Sequence, residues 1–220
     1  MPNHGNVYDI YSKDLIGIID IIHAAHNRPV ILAGHSFGAS LCVKAEKALR
    51  DKVSCIILAD PVLFTPLQTA ACRVLRYLGL KRPKELYLSQ NALKRKNFWS
   101  HSSILQEEYS NKSLFRNWDA DSLKKYVEYG TIKRGLGIQL ACSPKIESQI
   151  FAESENSFLG KSIITLKTPT HLFLASYGSP PSSKIAIWKS KQIFTKRKIL
   201  NSNHFFPVEK ADEFSEIVLK

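Results

Sequence analysis

The stretch GHSFG, residues 34–38, has the form G-x-S-x-G. It follows a short apolar run, PVILA at residues 29–33, of the kind that forms a buried strand. It precedes residues 39–49, in which apolar side chains recur at helical spacing. Strand, sharp turn and helix are the context in which such a motif presents a nucleophilic serine. The pattern therefore predicts that Ser36 lies at the turn with its hydroxyl above the sheet.

The same turn predicts two backbone features. Gly34 and Gly38, two residues before and after the serine, are expected to let strand and helix approach closely without a Cβ clash. The backbone N–H of Phe37 stands at the N-terminus of the helix, where it faces any oxyanion formed beside Ser36. We therefore expect the Phe37 N–H to be an oxyanion donor.

A serine hydroxyl is a poor nucleophile until a base takes its proton, so a histidine is required. Among the seven histidines, His204 lies between an apolar run that ends near residue 200 and an amphipathic segment, residues 211–219. This pattern favours a loop between the last strand and the last helix. A histidine on such a loop can reach over the sheet edge to Ser36. The alternative is a surface-loop histidine with no part in catalysis.

Blocks along the whole chain resemble the α/β-hydrolase fold of serine hydrolases of the lipase and esterase type. The stretch HFFPVE, residues 204–209, resembles the H-x-x-P-x-E ending common in that family. The other resembling blocks are residues 3–5, 30–40, 53–62, 169–174 and 203–214. Segments between residues 97 and 147 resemble the helical lid of a lipase- or esterase-like subgroup.

The resemblance implies a mostly parallel sheet flanked by helices, with a core formed by residues 1–61 and 166–220. Residues 62–165 would then be a helical lid inserted over the serine. The resemblance also implies the chain order serine, acid, histidine. That order leaves His204 as the base and excludes the histidines that precede Ser36 or adjoin it, which are His4, His23, His26 and His35.

The acid of the triad is open between two locations. Relatives often place it after the strand that precedes the histidine strand, but residues 176–183, which follow the apolar run 171–175, contain no Asp or Glu. Only Ser176 and Ser179 stand there as weak candidates to orient the histidine. The other location follows the strand at residues 55–59, and Asp60 stands at its carboxyl end. Asp60 would hold the imidazole tautomer and stabilise the imidazolium, or else only cap the following turn.

The N-terminal region departs from the family pattern. The pattern includes several core strands and a His-Gly loop before the nucleophile, and NHG at residues 3–5 suits only a later His-Gly turn. We therefore expect a misplaced start, a fragment of a split gene or a short protein that lacks these strands. The sheet would then have an open edge, through which the chain could dimerise. Residues 14–25 indicate the helix before the serine strand, with an apolar face of Leu15, Ile18, Ile19 and Ile22.

Composition agrees with one globular core plus an insertion, at 220 residues and 44% hydrophobic content. No apolar run approaches the roughly 18 residues that a membrane span requires. Cys42, Cys55, Cys72 and Cys142 have no metal-like spacing. Free thiols, with Cys42 and Cys55 on buried elements, favour a reducing, cytoplasmic setting.

The net charge of +12 is spread over separate elements rather than along one stripe with interleaved aromatic residues. This distribution argues against nucleic acid as a partner. Weak contact with an anionic membrane, or attraction of an acidic substrate, remains open, beside the simpler interpretation of a lysine-rich surface.

The sequence thus predicts a serine hydrolase that acts on an ester or thioester of a mostly apolar acid, with no metal or organic cofactor. An aspartate nucleophile is disfavoured because the turn carries Ser36. Two alternatives are a catalytically silent remnant that serves as an interaction module, and a protein that binds membranes or polyanions. Aromatic residues of the insertion are candidates to line an acyl pocket or to form the insertion's own core; they are Phe98, Trp99, Tyr109, Phe115, Trp118, Tyr126 and Tyr129.

Overall fold

The computed structural model describes residues 6–80, 83–154, 165–178, 194–199 and 201–219. The helices are α1 (Val7–His26), α2 (Phe37–Leu49), α3 (Pro66–Tyr77), α4 (Pro83–Leu93), α5 (Ser102–Ser110), α6 (Ala120–Tyr129), α7 (Pro144–Ala152), α8 (Phe206–Glu209) and α9 (Ala211–Leu219). The strands are β1 (Val30–His35), β2 (Val53–Ala59), β3 (Phe98–Trp99), β4 (Thr131–Arg134), β5 (Gly137–Leu140), β6 (Thr170–Ala175) and β7 (Phe194–Ile199).

Within the described residues, the main sheet contains four parallel strands in the order β1-β2-β6-β7. β2 is a nearly continuous apolar run, VSCIILA, as expected of a strand covered on both faces. In the register, His35 at the end of β1 lies beside Ala59 at the end of β2. The carboxyl ends of the strands therefore meet at one edge, and the expected parallel sheet flanked by helices is confirmed.

Helix α1 is longer than the predicted 14–25 segment. It begins at Val7 because the side chain of Asn6 accepts a hydrogen bond from the N–H of Asp9, which caps the first turn. It ends at His26, and the cap residue Asn27, whose backbone is left-handed (φ 48°), donates its N–H to the carbonyl of His23. These caps lie outside the apolar repeat, which is why periodicity alone placed the ends too close together.

The predicted apolar face of α1 is only partly right. Ile19 is buried in the core and Leu15 packs against that core, but Ile18 is 54% exposed and Ile22 is 37% exposed. On the sheet, β1 is the terminal strand within the described residues, and its Ile31 is 64% exposed. Among the described strands β1 pairs only with β2, so the described part of the sheet ends at β1. An edge left open by missing strands stays a prediction. Dimerisation through it stays a prediction.

The insertion contains strands that the sequence analysis did not anticipate. β3, β5 and β4 form a separate antiparallel sheet in that order. β4 and β5 are joined by the two residues Gly135 and Leu136, with Gly135 at φ 56°. Strands of two to four residues are too short for a period-two pattern to reveal them. The description of the insertion as mostly helical is therefore incomplete.

The helices of the insertion follow their local signals more closely. α6 begins at Ala120, because the carboxylate of Asp119 accepts a hydrogen bond from the N–H of Ser122 at 2.8 Å. α3 ends at Tyr77, two residues before Gly79, whose φ is 70°. The insertion has its own apolar cluster of Trp99, Leu105, Tyr109, Phe115, Leu123, Val127 and Leu140. The division of the chain into core and lid stays a prediction.

Among the described helices, none combines the length and apolarity needed to cross a bilayer. All four cysteines are free thiols; Cys42 and Cys72 are buried, whereas Cys142 is exposed. Cys55 is half-buried rather than buried; it follows the exposed Ser54, and only the last four residues of β2 are all buried.

Candidate active site

Ser36 stands in a sharp turn between β1 and α2. Its backbone has φ 52° and ψ −115°, a conformation that side-chain-bearing residues rarely adopt. The turn is held because the N–H of Ser36 donates to the carbonyl of Ala59 at the end of β2, at 2.9 Å. A strained backbone that surrounding structure over-determines is a feature of functional sites. The geometry matches the strand, turn and helix expected from the G-x-S-x-G pattern.

The two glycines of the motif are not equivalent. A Cβ on Gly34 would lie 2.6 Å from the backbone of Gly38 and of Ala39, so strand and helix touch there. A Cβ on Gly38 would meet nothing within 4 Å. The expectation that both glycines permit the close approach is therefore wrong for Gly38, which lies in the first turn of α2 with open space at the position of a Cβ.

His204 makes a hydrogen bond with each of its ring nitrogens. Its Nδ1 lies 2.7 Å from Oδ2 of Asp60, and its Nε2 lies 2.9 Å from Oγ of Ser36. A carboxylate only accepts, so Nδ1–H donates to Asp60, and Nε2 is left to accept the proton of the serine hydroxyl. The structure thus brings together the serine, histidine and aspartate that the sequence analysis named.

Asp60 lies directly after β2 in a left-handed backbone conformation, with φ 42°, and is fully buried. Its N–H donates to the carbonyl of Phe173 on β6, which fixes the residue at the edge of the sheet. Within the described part of the chain, its Oδ1 has no hydrogen-bond partner, so the bond to His204 is the one that its carboxylate makes. The carboxylate thus faces Nδ1 of His204 from a buried position at the carboxyl end of β2.

The loop that carries His204 is tied to the end of β6. The hydroxyl of Ser176 donates to the carbonyl of Ser202 at 2.9 Å and accepts from the N–H of Ser202 at 3.2 Å. Ser176 therefore supports the loop. It does not orient the imidazole, which was the alternative role predicted for it. Ser179, the other such candidate, lies outside the described residues. Asn203 holds the next turn, because its side chain accepts from the N–H of Phe205 at 2.7 Å.

His35 is a residue that sequence reasoning set aside too early. It cannot be the base, yet its Nε2 lies 2.7 Å from the backbone oxygen of His204. Burial lowers the pKa of His35, and the neighbouring His204 lowers it further, against smaller opposite effects of that hydrogen bond and of Asp60. The available signal was its position at the end of β1, directly before Ser36.

Phe37 opens α2, so its N–H is one of the helix N-terminal donors that have no acceptor inside the helix. Its ring packs edge-on against Tyr8 and Tyr11 of α1, at centroid distances of 4.9 and 5.8 Å. The side chain is thereby directed to α1 while the backbone N–H stays beside Ser36.

The aromatic residues of the insertion divide into three groups. Trp99, Tyr109 and Phe115 are buried in its apolar cluster, whereas Phe98 and Tyr129 are exposed. Trp118 and Tyr126 are half-buried and pack against that cluster. Trp118 also contacts Phe205, with ring centroids 6.3 Å apart, and Phe205 contacts the ring of His204 at 5.5 Å.

A cavity of about 590 Å³ lies beside α5 and the start of α6, and Trp118 lines it. None of Ser36, Asp60 and His204 borders this cavity, so it is separate from the serine. In the part of the chain that the structure describes, no three His, Cys, Asp or Glu side chains are grouped to hold a metal ion.

The chain is similar to known proteins both in sequence and in structure. No family model matches the sequence. A curated relative, "Putative esterase/lipase 2" of Mycoplasma pneumoniae, is 24% identical over 137 residues. That match covers 60% of this chain and 45% of the relative.

Solved structures give broader coverage. A peroxisomal alpha-beta-hydrolase of Saccharomyces cerevisiae superposes with a TM-score of 0.74 at 18% identity, over 94% of this chain and 56% of that protein. E-2-(acetamidomethylene)succinate hydrolase superposes with a TM-score of 0.73 at 18% identity, over 99% of this chain and 74% of that protein. The thioesterase domain from the curacin biosynthetic pathway superposes with a TM-score of 0.65 at 14% identity, over 95% of this chain and 72% of that domain. The chain thus spans about half the length of the curated relative and of the Saccharomyces protein. It has the α/β-hydrolase fold and resembles esterases, lipases and thioesterases.

Proposed function

We propose that this protein is a serine hydrolase that cleaves a carboxylic ester or thioester through an acyl-enzyme on Ser36. The observation that carries the proposal is the pair of hydrogen bonds made by the His204 ring, 2.9 Å to Ser36 Oγ and 2.7 Å to Asp60 Oδ2. Nucleophile, base and a group that orients the base are the three parts of an activated serine. The likeness to esterases and thioesterases supports the same reaction class.

The first half of the reaction forms the acyl-enzyme. Ser36 Oγ attacks the carbonyl carbon of the substrate while its proton passes to Nε2 of His204. The resulting imidazolium is stabilised by the buried carboxylate of Asp60. When the tetrahedral intermediate collapses, the bond to the leaving alcohol or thiol breaks, and Nε2 gives that group its proton.

The second half returns the enzyme to its starting state. A water molecule gives a proton to Nε2 of His204 and attacks the acyl carbonyl carbon. The bond to Ser36 Oγ breaks, the acid leaves, and the serine regains the proton from Nε2. These steps use side chains and water alone, so the proposal includes no organic cofactor or metal.

The Phe37 N–H is the proposed oxyanion donor. It belongs to the first residue of α2, next to Ser36 in the chain, and the helix N-terminus favours negative charge there. In other enzymes, removal of one preorganised donor of this kind lowers kcat by a factor of roughly 10²–10³. Phe37 acts through its backbone, so substitution of its side chain does not test this role.

The proposed substrate is a small-molecule ester or thioester with a mostly apolar acyl group. Phe205 and Trp118 extend an apolar surface from the ring of His204 into the insertion. An apolar acyl chain would gain free energy by leaving water on such a surface. We place the protein in a reducing, cytoplasmic setting because its four cysteines are unpaired.

Labelling with a fluorophosphonate probe tests the proposal, because the probe reacts only with an activated serine. We expect the wild-type chain and a Ser215→Ala control, which alters an exposed serine on α9, to be labelled. Ser36→Ala should abolish labelling and also the hydrolysis of p-nitrophenyl esters. A folded wild-type chain that resists the probe would overturn the proposal and favour the silent remnant that acts as an interaction module.

A further inference from the structure

His35 lies outside the proposed triad but is in contact with it. Its ring is 4.7 Å from the ring of His204, between centroids, and its Nε2 is 2.7 Å from the backbone oxygen of His204. A carbonyl oxygen can only accept, so Nε2 of His35 carries the proton and donates it. The side chain of His35, the residue before Ser36, thus holds the backbone of His204, the proposed base.

We propose that His35 is a positioning residue that fixes the backbone of His204, so that the His204 ring spans Asp60 and Ser36 at the same time. The inference rests on the proposed function, and it adds a role that neither the motif nor the triad assigns.

The position of the His204 ring depends on its backbone. Both ring bonds are short, at 2.7 and 2.9 Å, so a small shift of the Cα atom lengthens one of them. The loop is tied before His204 through Ser202 and after it through the N–H of Phe205. His35 supplies a hydrogen bond at His204 itself, and it does so from β1, the strand that leads directly to Ser36. It therefore couples the base to the nucleophile's own strand.

The charge state of His35 suits this role. The groups that face it are His204, Asp60 and the ring of Phe205, and the electrostatic effect of His204 opposes a second positive charge. Burial also lowers the pKa of His35, so the ring is neutral around pH 7 while Nε2–H still donates. A neutral neighbour does not compete with the imidazolium that forms on His204 during the reaction.

Two substitutions separate the hydrogen bond from the packing of the ring. His35→Gln keeps an N–H at about the reach of Nε2 but cannot take a proton. His35→Leu fills similar space and donates nothing. We expect His35→Leu to lower kcat about 10- to 100-fold, as loss of one buried hydrogen bond would, with KM changed less than about twofold. His35→Gln should keep kcat within about threefold of the wild type.

Nuclear magnetic resonance tests the positioning without turnover. The Nδ1–H proton of His204, shared with Asp60, should give a low-field signal in the wild type and in His35→Gln. It should be broadened or lost in His35→Leu, while circular dichroism shows all three folded. A signal that is equally sharp in all three proteins would overturn the inference. So would equal losses of kcat in both variants, since that result would assign His35 to packing alone.

The two proposals fail in distinguishable ways. Absence of fluorophosphonate labelling of the wild-type chain would overturn the hydrolase proposal, yet the His204 signal would still test the role of His35. Labelling of the wild type together with unchanged rates and signal in His35→Leu would overturn only the role of His35.

Discussion

Gly34 and Ala39 touch through their backbones, because the place of a Cβ on Gly34 lies 2.6 Å from the nitrogen of Ala39. This contact joins the end of β1 to the first turn of α2 and holds Ser36 in its strained conformation between them. A missing Cβ at one residue therefore determines how sharply the chain can turn at the proposed nucleophile.

Substitution of Gly34 by alanine should destabilise the protein, whereas the same substitution of Gly38 should not. Gly34→Ala places a methyl group against backbone, which cannot move aside as a flexible side chain could. We expect a loss of roughly 1–3 kcal/mol in the free energy of unfolding, measured by urea denaturation, with loss of probe labelling. Gly38→Ala is the matched control. It should be neutral or stabilise the helix by up to about 1 kcal/mol. Equal destabilisation by both would contradict the geometry at Gly34.

Asp60→Asn should lower kcat about 10⁴-fold, as the loss of the equivalent carboxylate does in a serine protease triad. The amide has a similar shape but cannot stabilise the imidazolium, and it can hold the wrong tautomer of His204. Steady-state kinetics with a p-nitrophenyl ester would measure the effect. Asp121→Asn, at an exposed position on α6, is the control and should leave kcat unchanged. Full activity in Asp60→Asn would assign the acid to another residue.

Glu46 ties the nucleophile helix to the segment that enters β6. Its carboxylate accepts from the guanidinium of Arg50, from the N–H groups of Lys167 and Thr168, and from the hydroxyl of Thr168. Burial raises the pKa of Glu46, but these hydrogen bonds outweigh it and lower the pKa to about 2. The ionised carboxylate is therefore the stabilising form.

Glu46→Gln should reduce the free energy of unfolding at pH 7 by an amount on the order of 3 kcal/mol, since one pKa unit corresponds to about 1.4 kcal/mol. The stabilisation is complete above the ordinary glutamate pKa of 4.5 and is lost as the pH falls from there toward about 2. The difference between wild type and variant, measured by urea denaturation, should therefore shrink over that interval. The exposed Glu216→Gln serves as control and should show no such convergence. A difference that is independent of pH would contradict this account.

Trp118→Ala should change the preference for acyl chain length. Loss of the ring that contacts Phe205 removes part of the proposed apolar surface, so KM for a hexanoyl ester should rise about tenfold while KM for an acetyl ester changes little. Tyr129→Ala, at a position 76% exposed on the same insertion, is the control. Equal changes in KM for both esters would show that Trp118 does not contact the acyl chain.

Elements with strong local signals were predictable from the sequence. The final helix, α9, runs over Ala211–Leu219 as expected, and α6 starts after Asp119 because a side-chain cap lies within three residues of the group that it binds. The turn at Ser36 was equally clear, since an apolar run, a glycine-flanked serine and a helical repeat follow one another directly. Such signals depend on neighbours in the chain and need no knowledge of packing.

Other features depended on which elements pack together. Periodicity placed Ile18 and Ile22 on a buried face of α1, but only the neighbours of a helix decide which of its apolar residues are covered. The same holds for Gly38, whose motif position suggested a close contact that the structure does not contain. β3 pairs with β5, which lies far along the chain, and all three short strands of the insertion carry too few residues for a pattern.

By itself, the sequence determined the turn at Ser36, because an apolar run, a glycine-flanked serine and a helical repeat are adjacent in the chain. The parallel sheet and the candidates His204 and Asp60 were predicted from the resemblance to a known fold, which rests on short blocks of the sequence. The tertiary structure alone decided that these three side chains meet within hydrogen-bonding distance, and that His35 holds the backbone of His204. Such contacts join residues far apart in the chain, and the relative placement of β1, β2 and the histidine loop, which no local pattern encodes, brings them together.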